Sequence, residues 1–128
     1  MSFGDALRNA KAQPVADHVE KEVKLFEESI MRLCRVYAGG GKRSVEGYFS
    51  YHTYDDGTRL FVEPEEIIKD HVSSERNSYA NRDVDADRIV AEVRKRFENQ
   101  GLTAFTFECR EFRRFSKRYY FYYVQAAW

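Results

Sequence analysis

The chain has 128 residues, 43% of them hydrophobic, and its 21 basic side chains balance 21 acidic ones. That length reads as one domain, residues 1–128, which can bury roughly two-thirds of its unfolded surface without disulfide or metal staples. Neutrality removes the global charge that would draw a protein to nucleic acid or an acidic membrane, and no run approaches the roughly 18 apolar residues of a membrane span, so no membrane partner is expected.

The opening "MSFGDALRNAKAQ" has no apolar targeting core, which sets the expectation of a soluble, cytoplasmic protein. Cys34 and Cys109 lack the CxxC spacing of a metal or redox site. Each falls on an apolar stripe and reads as a small buried hydrophobe in a reducing compartment.

The first helix is announced by Ala12, Ala16, Val19, Val23, Phe26, Ile30, Leu33 and Tyr37, which recur at steps of four and three and share one helical stripe. Pro14 suits a first turn, so the helix is predicted to begin there, with residues 1–12 as a separate N-terminal segment. The next stretch, "AGGGKRS", resembles a phosphate loop but lacks its order. A phosphate loop follows a strand and opens a helix, so that free N–H groups face the anion. Here the helix comes first, Val36 stands where the first glycine belongs, and Arg43 replaces Ser or Thr. The glycines are a helix stop, with Lys42 and Arg43 offsetting the negative end of the dipole.

"SVEGYFSYHTYDDGTRLFVEP" reads as a hairpin, with Asp56-Gly57 as a two-residue turn. That turn sets Tyr54 opposite Arg59, Thr53 opposite Leu60, His52 opposite Phe61 and Tyr51 opposite Val62. One face then carries Val45, Phe49, Tyr51, Leu60 and Val62, and the other Tyr48, Ser50, His52, Tyr54, Arg59 and Phe61. Pro64 followed by Glu65 and Glu66 predicts a short helix to about Val72, and "SSERNSYANRD" reads as a loop. A further helix is expected over Asp85–Gln100, with Ala86, Ile89, Val90, Val93 and Phe97 inward, stopped by Gly101. A second hairpin turns between Arg113 and Arg118. Its faces are Phe105, Phe107, Cys109, Tyr120, Tyr122, Val124 and Ala126 on one side, and Thr106, Glu108, Arg110, Phe112, Tyr119, Phe121, Tyr123 and Gln125 on the other. The αββ-αββ order predicts an α+β two-layer sandwich: an antiparallel sheet of about four strands with both long helices on one face.

Few residues suggest chemistry. Asp83, Asp85 and Asp87 have the opening spacing of a calcium loop, but Arg88 and Arg94 occupy the positions that need Gly and Glu, so Asp83 or Asp85 is expected to cap the helix instead. His18, His52 and His71 lie in different elements, and no nucleophile motif occurs, so neither metal, cofactor nor catalytic site is assigned. The aromatic content is the exception, with nine Tyr, ten Phe and one Trp. Tyr48, His52, Tyr54, Arg59, Phe61, Arg110, Phe112, Tyr119, Phe121 and Tyr123 fall on the helix-free sheet face, which is expected to be exposed. Aromatic and Arg side chains dominate interface hot spots. The leading expectation is therefore a non-enzymatic module that binds a protein partner through this face. The alternative is a nucleotide or single-stranded nucleic acid, whose bases would stack on the rings while Arg59, Arg110, Arg113, Arg114, Lys117 and Arg118 neutralise phosphates. A homodimer burying the patch is the structural competitor.

From about residue 85, the helix ending at Gly101 followed by "LTAFTFECREF" and "RYYFYYVQAAW" resembles the C-terminal helix–hairpin of small orphan proteins encoded by phages and prophages. The resemblance implies an accessory or inhibitor protein of a mobile element. Some such proteins resemble anti-defence inhibitors that bind a protein or a signalling nucleotide. It carries over no functional residue.

Overall fold

The structure is a computed structural model, and the residues it describes are 3–54, 56–66, 83–114 and 117–128, with the side chains of residues 4–17, 52, 114 and 117 outside the description. The elements run α1 (Phe3–Gly39), β1 (Ser44–Thr53), β2 (Arg59–Val62), α2 (Pro64–Glu66), α3 (Ala86–Phe97), β3 (Ala104–Arg114) and β4 (Lys117–Ala127). The four strands form one antiparallel sheet in the order β2-β1-β4-β3. Both long helices pack on one face of it, the α+β sandwich that the αββ-αββ pattern predicts.

Helix α1 starts at Phe3 and passes through Pro14, rather than beginning at the proline. Proline in a helix interior removes one hydrogen bond at a cost of about 3 kcal/mol. A helix of 37 residues, with Ala, Lys and Gln beside the proline, continues across that break. Its buried stripe is Val19, Val23, Phe26 and Ile30, at the predicted spacing. The helix ends in a Schellman motif. Gly41 takes a φ of 83°, its N–H donates to the Ala38 carbonyl at 3.0 Å, and the Lys42 N–H donates to the Tyr37 carbonyl at 2.9 Å. The glycine run thus closes a helix and offers no free N–H cradle.

Helix α3 buries Ala86, Ile89, Val90, Val93 and Phe97. Asp83 makes the N-terminal contact, its side chain accepting from the Asp85 N–H at 2.9 Å, while Asp85 itself makes no side-chain cap. Arg94 ties the helix to the sheet by donating from Nε to the Phe107 carbonyl at 2.8 Å. The core between the layers centres on Phe26, which meets Phe49, Phe107 and Tyr122 edge-on at 4.7–5.8 Å between ring centroids. The predicted continuation of α2 to Val72 and the loop "SSERNSYANRD" up to Arg82 fall outside the described residues.

The second hairpin keeps its predicted parity: Phe107 faces Val124 and Cys109 faces Tyr122, toward the helices. The first hairpin does not. Gly57 takes a positive φ, at 83°, its N–H donates to the Tyr54 carbonyl, and the Tyr54 N–H donates to the Thr58 carbonyl. That is a three-residue loop with glycine at its end, not the two-residue turn in which both central residues need positive φ. The Asp56 carboxylate accepts from the Thr58 N–H and hydroxyl and holds the loop, and these bonds keep its pKa below the ordinary value. One extra loop residue inverts every side chain that follows. Thr53 now opposes Arg59, Phe49 opposes Phe61 and Tyr48 opposes Val62. Leu60 and Val62 therefore join the helix-free face, and Arg59 and Phe61 turn under α1. β1 also takes four residue steps from Phe49 to Thr53 where β2 takes two from Phe61 to Arg59, an irregularity that preserves parity.

Candidate binding surface

The helix-free face is organised as rows across the strands. The first joins Glu46 of β1, Gln125 of β4 and Thr106 of β3. The next joins Val62, Tyr48, Tyr123 and Glu108, followed by Ser50, Phe121 and Arg110. The β1–β4 pairing stops at Ser50 and Phe121, but β3 and β4 continue for four more pairs, ending at Arg114 and Lys117. Phe112 and Tyr119 face each other on this two-stranded extension.

The rings form a continuous cluster. Tyr48 contacts Phe112 at 5.1 Å, Tyr123 at 5.2 Å and Phe121 at 6.4 Å, and Phe112 meets Phe121 edge-on at 5.7 Å. Arg110 lies across the cluster with its guanidinium carbon 3.5 Å from the Tyr123 ring centre. It donates to Glu108 at 2.8 Å and to the Tyr48 hydroxyl at 3.3 Å. The Tyr123 hydroxyl donates to the Glu46 carboxylate. Burial and that bond push its pKa up to about 12.

The centre of this face is buried, contrary to the exposure that its position opposite the helices predicts. Tyr48, Val62, Phe121 and Tyr123 are buried, with Phe121 only 1% exposed. Among the described residues, ring-on-ring and guanidinium-on-ring contacts join this patch into a second buried cluster of strand residues. Leu60, Phe112 and Tyr119 are half-buried at its border.

The ten residues assigned from sequence divide into three groups. The structure brings together Tyr48, Arg110, Phe112, Tyr119, Phe121 and Tyr123. It separates Arg59, Phe61 and Tyr54 from them. Phe61 packs against Phe49 and Tyr37, and Tyr54 is 58% exposed beside Lys21, Glu22 and Leu25 of α1. His52 has its backbone in β1, and its side chain lies outside the described residues. Sequence reasoning missed Leu60 and Val62, which the loop length reversed, and Glu46, whose role depends on the Tyr123 hydroxyl opposite its neighbour. The one available signal was the tripeptide Asp-Asp-Gly, which fits a three-residue loop as well as Asp-Gly fits a two-residue one.

Arg59 has a structural task instead. It pairs with Glu22 of α1, with side chains 8% and 13% exposed, and donates to the carbonyls of Ser50 and Tyr51 at 3.0 and 2.6 Å. It also lies 4.5 Å from the Phe26 ring centre. A guanidinium can serve several acceptors in one plane, so this side chain fastens the irregular part of β1 to both β2 and α1.

Among the described residues, no group of three or more His, Cys, Asp or Glu is placed to hold a metal ion, and no helix is long and apolar enough to cross a membrane. The chain matches no family model, no curated protein and no solved structure.

Proposed function

We propose that this protein is a non-enzymatic binding module that engages a protein partner through the border of its aromatic sheet face and the β3–β4 extension. The observation that carries the reading is the continuation of the ring cluster onto Phe112 and Tyr119, beyond the last residue of β1 that flanks β4. Half-buried rings beside Arg110 supply the residue types that anchor interfaces, on a support held rigid by the buried rings beneath.

The charges favour a protein over a nucleic acid. Arg59 pairs with Glu22, Arg110 with Glu108, and Arg113 and Arg118 both with Glu111. Four of the six cations that the nucleic-acid reading would use are therefore occupied by carboxylates, which weakens the counterion release that drives phosphate binding.

The test is an affinity capture comparing the wild-type protein with Phe112→Ala/Tyr119→Ala, chosen because half-buried rings can be truncated with less damage than Phe121. A partner held by the wild type and lost by the folded double variant is expected. Equal retention by both would overturn the reading, and salt-sensitive binding of oligonucleotides would favour the nucleic-acid alternative.

A further inference from the structure

The two edges of the sheet differ. β2 is four residues long, and its pairing with β1 is irregular, both features that discourage strand addition. β3, the opposite edge, is eleven residues long in unbroken register with β4, and no other described strand pairs along its outer side. Alternate backbone N–H and C=O groups along that side point away from β4 and require water or another strand. Arg94 reaches one of the β3 carbonyls, that of Phe107, and uses one of its two lone pairs.

The order of charges on β3 says which strand fits. Suppose β3 meets β3 of a second copy antiparallel, with both helix layers on the same side. Opposed residues must then share a face, so their numbers must share parity. The register that pairs the whole of Ala104–Arg114 sets Ala104 opposite Arg114 and Cys109 opposite itself. The same register sets Glu108 opposite Arg110 on both sides of the two-fold axis. Moving one allowed step in either direction places Glu108 or Arg110 opposite its own copy, with like charges facing each other. Maximal overlap and best charge pairing thus coincide in one register.

We propose that β3 pairs antiparallel with β3 of a second copy about a two-fold axis at Cys109, joining two four-stranded sheets into one. The pairing is independent of the protein partner proposed above, and it sets two aromatic faces side by side. Glu108 and Arg110, 37% and 40% exposed and already paired within the chain, become a four-membered ring of alternating charge across the axis.

Light scattering at increasing concentration tests this directly. A mass approaching twice the 15.1 kDa of one chain is expected. Glu108→Arg and Arg110→Glu should each weaken the dimer about tenfold, and the charge-swapped double variant should restore it. Arg110 also covers Tyr123, so circular dichroism must show each variant folded, and cysteine cross-linking supplies a readout that leaves those charges untouched. Directly opposed residues of antiparallel strands lie about 4.5–5.5 Å apart at Cα, within disulfide range. Oxidation of a Cys34→Ser variant should give a covalent dimer, and Cys109→Ser should abolish it. A wild-type protein that stays monomeric into the millimolar range overturns the proposal. So does a dimer indifferent to both charge reversals, or one cross-linked only through Cys34.

Discussion

The β3–β4 hairpin keeps one register from Ala104 opposite Ala127 to Arg114 opposite Lys117, whereas β1–β2 pairs through a three-residue loop and an irregularity. The difference lies in what each hairpin leans on. β3–β4 is long, and each face repeats every second residue, so a slip would put a whole row of rings on the wrong side. β2 has only four residues, and their parity is set by one loop residue and secured by one buried guanidinium. Regularity is spread over many pairs in one hairpin and concentrated in a few contacts in the other.

The sharpest way to break this contrast is to remove a carboxylate from each. Glu22→Ala leaves Arg59 charged and buried, and should cost about 3–5 kcal/mol. A fall in Tm of about 10–20 °C by circular dichroism would express that loss. Glu108→Ala removes the partner of a guanidinium that is 40% exposed, and should cost no more than about 1 kcal/mol in the monomer. Equal losses would mean that the first hairpin does not hang on Arg59.

Gly47→Ala probes how tightly that hairpin closes. A Cβ there would run into the Phe61 ring and the Val62 carbonyl, one of them backbone, so urea unfolding should show a loss of about 1–3 kcal/mol. Gly57→Ala asks whether the left-handed loop residue sets the register. With φ at 83°, alanine should cost about 1–2 kcal/mol, and the β1–β2 amides should exchange hydrogen faster while those of β3–β4 stay protected.

The smallest expected effect is alkaline. Tyr123 is pushed up to about 12 by burial and its bond to Glu46, and Tyr37 to about 12, first by its bond to Glu63. The folded state holds these protons more tightly than a free tyrosine of pKa about 10 does. Their contribution is complete below pH about 10 and is lost as pH rises toward 12. Tyr123→Phe should flatten part of that fall in a pH series of thermal melts, and an unchanged slope would remove Tyr123 from the account.

Much of the architecture was legible in the chain. The three- and four-residue steps of Val19, Val23, Phe26 and Ile30 marked the stripe of α1. The alternation in β3 and β4 assigned both faces of that hairpin, because repeated pairs leave no freedom of parity. The glycine run and Gly101 marked two helix ends, since few residues other than glycine take positive φ at low cost. Arg110, Phe112, Tyr119, Phe121 and Tyr123 came together because alternation along β3 and β4 placed them on one face.

Periodicity within short stretches of chain was enough to place the strands, the two long helices and the faces of the second hairpin, but not the start of α1, which lies at Phe3 and not at Pro14. That Arg59 faces α1, that Leu60 and Val62 join the aromatic face, and that Tyr48, Phe121 and Tyr123 are buried emerged only from the folded chain. Those outcomes rest on the length of one loop and on contacts between residues distant in the chain. Local propensity does not encode such contacts, and a single loop residue is enough to turn a strand over.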